Sequence, residues 1–322
     1  MSVRIAYDGE DCAAFAELGL VGGGIRQYVC CDRAVIPLDT VEGRRDWYSG
    51  TTLAPWPNRL AGGAWTAEGV QYEGECNDPR GHALHGLVYN AEFHVASQTP
   101  SSVTLAYELG DHPIYPFSVR IEVSYAITRC ALTSTVTATN RCDERVPIAL
   151  GVHPYFPFAD DTAITTSATH YFKSGANLIP TGDLLPVSDI GITPNAATAL
   201  GALSLDNCLT DLDRDSDGRA HTLLTYADGT TTDIWQDAAL AYTQVFTKRD
   251  FPWAAGSAGA VEQLTAFTRP LGITVEAADG ARHVPQRVGS LVAEVGGVRQ
   301  GAGTHRIQHD HAHAAHMAIL VP

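Results

Sequence analysis

Residues 118–127 read Ser-Val-Arg-Ile-Glu-Val-Ser-Tyr-Ala-Ile, and this stretch decides the fold class. Every second residue from Val119 to Ile127 is apolar, and the residues between them are mostly polar. A period of two places the apolar set on one face of an extended strand and the polar set on the other. The stretch therefore predicts a half-buried antiparallel strand.

The neighbouring residues extend this strand into a hairpin and then into a sheet. After a turn near Thr128 the chain alternates again from Leu132 to Ala138, and a shorter alternation from Val103 to Tyr107 lies just before it. Further strands are predicted at residues 24–31, 92–98, 221–226, 231–236 and 241–247. No window of a dozen residues keeps a helical period, and 30 glycines and 17 prolines interrupt the chain. We therefore predict an all-β fold, a large antiparallel β-sandwich.

The chain is long enough to bury a large core, since 45% of its 322 residues are hydrophobic. This excludes a disordered chain or a small disulfide-stapled protein. Residues 1–280 carry no linker signature, so we expect one domain there. Residues 281–322 become rich in glycine and then in histidine, and we expect them to form a divergent tail. Its histidines could chelate a metal, but their spacing matches no structural zinc motif and a solvated tail is the favoured interpretation.

Charge argues against two classes of partner. Acidic residues outnumber basic ones by 36 to 21, which gives a formal net charge of −15. Such a chain repels phosphate backbones and anionic lipid surfaces, so nucleic acid and membrane are poor partner hypotheses. No stretch approaches the roughly 20 apolar residues that cross a bilayer, and the first residues do not resemble a secretory signal. The expected location is the cytoplasm, with a monomer or homodimer as the assembly.

Seven cysteines are scattered along the chain without a metal-type pairing. Together with a cytoplasmic location, this predicts reduced thiols. The adjacent Cys30 and Cys31 would point to opposite faces of a strand, so we expect no disulfide between them.

Four short stretches combine polar side chains with rigid turns: Pro55-Trp56-Pro57-Asn58-Arg59-Leu60, Leu84-His85-Gly86, Gly151-Val152-His153-Pro154-Tyr155-Phe156 and Val261-Glu262-Gln263-Leu264-Thr265. An arginine on a stiff turn offers a fork of hydrogen-bond donors, and a glycine after a histidine leaves room for a ligand. A proline after a histidine fixes the direction of its ring, and desolvation raises the pKa of a carboxylate among small apolar residues. Each stretch also has an ordinary structural interpretation, and His82 competes with His85.

In this order, the four stretches resemble the aldose 1-epimerase (galactose mutarotase) family. Three further matches lie between them: Ile179-Pro180-Thr181-Gly182, Leu205-Asp206-Asn207 and Gln244-Val245-Phe246-Thr247. One tetrapeptide would be weak evidence, whereas several in colinear order over roughly residues 3–280 are specific. The C-terminal part departs from the family pattern. Residues 272–276 could be the strand that follows the glutamate, but residues 281–322 match nothing in the family.

The resemblance implies a galactose mutarotase-like supersandwich with an open sugar-binding cleft. It also implies interconversion of the α and β anomers of a free aldohexose, with no cofactor and no metal. By position, His153 would be the general acid at the ring oxygen and Glu262 the general base at the anomeric hydroxyl. The implied sugar-binding residues are Asn58, Arg59, His85, Tyr155 and Asp206.

Mutarotation needs a pair of proton-transfer groups, because one proton leaves the anomeric oxygen while another reaches the ring oxygen. We expect a histidine pKa near its ordinary value of about 6.5 and a glutamate pKa raised from about 4.3. Two alternatives keep the fold: a hexose-6-phosphate mutarotase, which the scarcity of basic residues disfavours, and a non-catalytic carbohydrate-binding protein. A glycosidase usually needs two carboxylates, and only Glu262 stands out.

Overall fold

A computed structural model describes residues 1–40, 46–67, 69–129, 131–143, 146–253, 256–264, 273–275 and 315–320. Side chains are described up to residue 252 within these ranges. The strands, in chain order, are β1 (Ser2–Asp8), β2 (Ala13–Gly19), β3 (Ile25–Cys30), β4 (Arg33–Ile36), β5 (Thr52–Leu53), β6 (Arg59–Ala61), β7 (Ala64–Ala67), β8 (Val70–Glu73), β9 (His82–Leu84), β10 (His94–Gln98), β11 (Ser102–Leu109), β12 (Val119–Thr128), β13 (Ala131–Asn140), β14 (Val146–Ile148), β15 (Gly151–Val152), β16 (Tyr155–Pro157), β17 (Ala163–Thr166), β18 (His170–Ser174), β19 (Pro180–Pro186), β20 (Thr198–Ala199), β21 (Asp206–Thr210), β22 (Ala220–Thr225), β23 (Thr231–Gln236), β24 (Tyr242–Trp253), β25 (Gly256–Leu264), β26 (Ile273–Val275) and β27 (Ala315–Leu320). Two 3-10 helices cover Val187–Ile190 and Leu200–Ala202. No helix in the described ranges is long and apolar enough to cross a membrane.

Two large antiparallel sheets form a sandwich. One has the strand order β10-β11-β12-β13-β27-β23-β22-β17-β20, and the other has the order β19-β18-β21-β24-β25-β15-β5, with β16 also paired to β25. A smaller sheet, β1-β2-β3-β4, contacts β12 through β1 and β2. The pairs β6-β9, β7-β8 and β14-β26 complete the described sheets. The prediction of an all-β antiparallel sandwich is confirmed.

The stretch that decided the fold class is strand β12, in the interior of the larger sheet. Its odd-numbered residues from Val119 to Ile127 are all buried, while Arg120, Glu122 and Ser124 are half-buried. Ile121 stands opposite Tyr107 of β11 and Ala138 of β13, so its face is paired on both sides. The period of two therefore reports burial of one face of a central strand.

The solvated-tail interpretation is wrong for the last described segment. Strand β27 lies between β13 and β23, with Ile319 opposite both Leu132 and Ile234. Strands β13 and β23 each have backbone N–H and C=O groups along the edge that faces β27. Strand β27 pairs with both edges, so these groups find hydrogen-bond partners. The strand expected at 272–276 is present as β26, which pairs with β14 rather than with the large sheets. The other tail residues lie outside the described part of the chain.

The prediction of reduced thiols is wrong for one pair, since Cys12 and Cys31 form a disulfide. The reason is local: β3 ends at Cys30, and Cys31 adopts a left-handed conformation with φ of 48°. The simple alternation of a strand therefore does not apply to Cys31. No disulfide joins Cys30 to Cys31, as expected.

The backbone of Gly50 connects the small sheet to the segment that carries His153. The carbonyl of Gly50 accepts a hydrogen bond from Ile25 N–H at 2.9 Å, and its N–H donates to the His153 carbonyl at 2.8 Å. Gly50 has φ of +71°, and a Cβ there would lie 1.8 Å from the Ile25 oxygen. Only glycine fits this contact without moving one of the two backbones.

We expect Gly50→Ala to lower the free energy of unfolding by about 2 kcal/mol or more, because a backbone clash adds to the strain of a positive φ. The matched control is Gly229→Ala, at φ of +81° with no atom within 4 Å of the added Cβ. That variant carries the φ strain alone and should lose about 1–2 kcal/mol. Urea unfolding of both variants measures the difference, and equal losses would contradict the clash.

Candidate functional site

A cleft of about 300 Å³ opens beside the smaller of the two large sheets. Its walls include six of the seven side chains predicted from the sequence: Asn58, Arg59, His85, His153, Tyr155 and Asp206. They come from β6 and the residue just before it, the turn after β9, the junction of β15 with β16, and β21. Residues separated by nearly 150 positions are thus brought to one site by the sheet topology.

Asn58 and His85 hold each other through two hydrogen bonds. The His85 N–H donates to the Asn58 carbonyl at 2.9 Å, and the Asn58 N–H donates to His85 Nδ1 at 3.2 Å. Both residues have positive φ, 55° and 63°, which turns the two loops toward each other. Because Nδ1 accepts, the ring proton of neutral His85 resides on Nε2. Burial, and then the charges of His153 and Arg59, hold the pKa of His85 well below its ordinary value.

The glycine after His85 has a different role from the one predicted. A Cβ on Gly86 would lie 2.1 Å from the Ala54 oxygen, so the glycine allows two loop backbones to pack together. The structure also distinguishes His85 from His82, the competing candidate. His82 Nδ1 accepts a hydrogen bond from Gly62 N–H at 3.1 Å, and His82 does not line the cleft.

His153 is held by backbone hydrogen bonds and by contacts of its ring with two neighbouring rings. Its N–H donates to the Thr51 carbonyl at 3.1 Å, and its carbonyl accepts from Gly50. Its ring stacks on Tyr155 with centroids 5.1 Å apart and meets His85 edge-on at 5.0 Å. Burial lowers the pKa of His153 to about 3, which corrects the expectation of a value near 6.5. Tyr155, itself 1% exposed and packed on Phe251, therefore supports the imidazole.

Arg59 forms part of a charged pair at the cleft wall. Its Nε donates to Asp78, and its Nη1 donates to Asn58 Oδ1 at 3.3 Å. Burial opposes ionisation of Asp78, but the Arg80 N–H and the Arg59 guanidinium outweigh it and lower the pKa of that carboxyl. A charged Asp78 fixes the guanidinium plane, so its remaining N–H groups present a defined fork to a ligand.

Asp206 and Gln244 form the acceptor side of the cleft. Asp206 Oδ1 accepts a hydrogen bond from Gln244 Nε2 at 2.8 Å. Burial raises the pKa of Asp206, an effect that the Arg59 charge partly offsets. Gln244 Oε1 is buried without a hydrogen-bond partner among the described residues. A buried amide oxygen in this state is an acceptor for a ligand hydroxyl, since buried polar atoms are almost always satisfied.

Glu262 lies on β25, and its side chain is outside the described part of the structure. Its backbone stands directly opposite Gln244 of β24 in the antiparallel register. Directly opposite residues of an antiparallel pair share one face of the sheet. The register therefore puts Glu262 on the same face as a residue of the cleft wall.

Several cleft residues were not predicted from the sequence: Trp47, Tyr48, Asn77, Asp78, Arg80, Gln244 and Phe246. Trp47 stacks on Phe246 with centroids 6.3 Å apart, and the Lys248 ammonium lies 4.3 Å from the indole. Burial raises the pKa of Tyr48 to about 12, so this phenol stays protonated. Gln244 and Phe246 lie within a motif that the sequence offered, whereas Trp47 and Tyr48 carried no motif signal.

Comparison with known proteins gives one family and a consistent fold. A model of the aldose 1-epimerase family matches residues 12–263. The fold is similar to a galactose mutarotase-like protein of Clostridium acetobutylicum, with TM-score 0.74 and 14% identity, over 99% of this chain and 95% of that chain. It is also similar to the GalM/aldose epimerase homologue of C. elegans, with TM-score 0.70 and 16% identity, over 87% and 96% of the two chains. At these identities the likeness concerns the fold alone.

Two curated relatives match part of the chain. The uncharacterized protein YphB of Escherichia coli K12 is 31% identical over 121 residues, 37% of this chain and 41% of that protein. The uncharacterized protein YihR of the same organism is 31% identical over 133 residues, 40% of this chain and 42% of that protein. The chain thus spans less than half of the length of these curated relatives.

The buried His153 should make stability depend on pH. Between its folded pKa of about 3 and the unfolded value of about 6.5, the unfolded chain binds the extra proton. Stability from this group is therefore complete above about pH 6.5 and is lost as the pH falls toward 3. We expect His153→Asn to flatten the slope of unfolding free energy against pH in this window, measured by urea unfolding. His94→Asn, at an exposed position of β10, is the control, and identical slopes for wild type and His153→Asn would contradict the assignment.

Proposed function

The chain belongs to the aldose 1-epimerase family, and from this we propose that it interconverts the α and β anomers of a free aldohexose. The proposed mechanism is general acid–base opening and closing of the pyranose ring. The observation that carries it is the convergence of His153, His85, Arg59 and Asp206 on one cleft. Glu262, opposite Gln244 in the sheet register, is proposed as the second proton-transfer group.

The polar groups of the cleft suit a polyol. Arg59 and neutral His85 supply donors, while Asp206 and the Gln244 amide oxygen supply acceptors. A sugar hydroxyl is both donor and acceptor, so it can bond to either side. Trp47 and Phe246 add flat apolar walls of the kind that pack against the C–H face of a pyranose. A volume of about 300 Å³ is at the small end of ligand sites, which favours a single sugar ring.

In the proposed ring opening, the Glu262 carboxylate takes the proton of the anomeric hydroxyl. The imidazolium of His153 gives a proton to the ring oxygen as the bond from C1 to that oxygen breaks. The resulting aldehyde rotates about the C1–C2 bond, and the ring closes on the other face with both groups in reversed roles. The enzyme takes one proton from the anomeric hydroxyl and gives one to the ring oxygen, and ring closure reverses both transfers. No other reactant is therefore needed.

The burial of His153 has a consequence for this step. Burial disfavours the imidazolium, so a charged His153 is a strong proton donor toward the ring oxygen. Ring opening converts a carboxylate and an imidazolium into their neutral forms, which a buried site favours. In the free enzyme the same effect lowers the population of the imidazolium. Two positioned groups at about 10²–10⁴-fold each lower the barrier by roughly 5–11 kcal/mol.

Polarimetry of freshly dissolved α-D-glucose and α-D-galactose tests the proposal. We expect the wild type to accelerate the approach to anomeric equilibrium, and His153→Asn and Glu262→Gln each to lose about 10²-fold or more in kcat, because each removes one proton-transfer group. The matched controls, His94→Asn and Glu92→Gln, change exposed residues outside the cleft and should retain the wild-type rate. Full activity of Glu262→Gln would remove Glu262 from the mechanism.

The same experiment separates the alternatives. Acceleration of glucose 6-phosphate but not of the free sugars would indicate a hexose-6-phosphate mutarotase. Sugar binding detected by saturation-transfer NMR, without any acceleration, would indicate a non-catalytic carbohydrate-binding protein.

A further inference from the structure

Three cysteine sulfurs gather at one end of the β2–β3 hairpin, away from the cleft. Cys12 directly precedes β2, Cys30 is the last residue of β3, and Cys31 follows it. Their Sγ atoms all lie within 4.8 Å of one another. Cys12 and Cys31 form the disulfide, and Cys30 Sγ lies 3.9 Å from Cys12 Sγ and 3.7 Å from Cys31 Sγ. The proposed sugar chemistry makes no use of this cluster.

The hairpin backbone holds the three residues together. Cys30 stands opposite Ala14 in the register of β2 and β3, and the Cys31 N–H donates to the Ala13 carbonyl at 2.9 Å. The left-handed φ of Cys31 breaks the strand alternation, so the sulfurs of adjacent residues come within contact. These constraints lie in the backbone of the hairpin.

The distances fit the ligand shell of a thiophilic metal ion. Sulfurs bound tetrahedrally at about 2.3 Å from a metal lie about 3.8 Å from each other. The two distances from Cys30, 3.9 and 3.7 Å, already have this value. Only the Sγ atoms of Cys12 and Cys31 have to move apart to reach this distance, and they can do so once the disulfide bond is cleaved.

The surroundings also suit such an ion. Cys12 and Cys30 are buried at 7% and 1% exposure, whereas Cys31 is exposed and gives access from solvent. The Arg129 carbonyl oxygen lies 3.6 Å from Cys12 Sγ and 3.7 Å from Cys30 Sγ. Buried thiolates beside a carbonyl oxygen are unfavourable unless a cation neutralises them. Thiolate ligands select soft d¹⁰ ions over hard oxygen-seeking ions.

We propose that Cys12, Cys30 and Cys31 bind one thiophilic d¹⁰ metal ion, of the Zn²⁺ or Cu⁺ type, when the disulfide is reduced. A phosphine or dithiol reductant supplies two electrons, the S–S bond breaks, and each sulfur takes a proton. The reductant leaves as its phosphine oxide, with oxygen from water, or as its own disulfide. The metal ion then displaces three thiol protons as three metal–sulfur bonds form, so binding strengthens as pH rises. The oxidised and the metal-bound forms are mutually exclusive states of the same cluster.

Cadmium titration of the full chain tests this site. The protein is reduced with a phosphine, freed of reductant without oxygen and titrated with Cd²⁺, whose bonds to thiolate absorb in the near ultraviolet. We expect a band that saturates at one ion per chain, is absent before reduction, and is lost in Cys30→Ser. Cys142→Ser is the matched control, since it removes a half-buried cysteine outside the cluster and should keep the band.

A second measurement on the unmutated chain keeps the test independent of folding of the variants. Bound Cd²⁺ should slow alkylation of Cys12, Cys30 and Cys31 together, as followed by peptide mass spectrometry, and leave Cys76 at its metal-free rate. A band of equal strength in Cys30→Ser, or protection that does not include Cys30, would overturn the proposal. Absence of any saturable band after complete reduction would overturn it equally. None of these outcomes depends on the sugar chemistry.

Discussion

The contact between Gly50 and its two backbone partners is the constraint on which the cleft depends. One peptide group accepts from Ile25 of the small sheet and donates to His153 between β15 and β16. A side chain at Gly50 would overlap the Ile25 carbonyl, so the small sheet and the segment that carries His153 are in direct backbone contact there. Through this contact, a sheet that contributes no side chain to the cleft wall sets the position of its most buried histidine.

The cleft combines uncharged imidazole rings with a charged carboxylate and guanidinium. The protonation state of each group follows from its surroundings. His85 and His153 are deeply buried and are held uncharged, whereas Asp78 stays charged because Arg59 and the Arg80 N–H bind it. Asp206 lies between these cases, since burial raises its pKa while the Arg59 charge acts against the rise. One arginine therefore orders the acidic side of the site, and burial sets the protonation of the basic side.

The part of the site that the sequence predicted is the part carried by short rigid motifs. Asn58, His85 and His153 each stand beside a proline or glycine, and Arg59 follows Asn58 in the same short motif. The structure places all four at one cleft. Trp47 and Tyr48 reach the same cleft from a segment without such a motif, so only the packing of distant loops could identify them. The pKa expected for His153 was wrong because spacing along the chain does not report burial.

The sequence by itself determined the strand class, since a period of two needs only neighbouring residues to specify which face is buried. It also determined the order of the motifs along the chain, on which the family resemblance rests. Tertiary structure alone decided that the segment Ala315–Leu320 joins β13 to β23 and that Cys31 bonds to Cys12. It alone placed Glu262 opposite Gln244. Each of these depends on how strands are paired and in which register, and register is fixed by the packing of whole sheets rather than by local sequence.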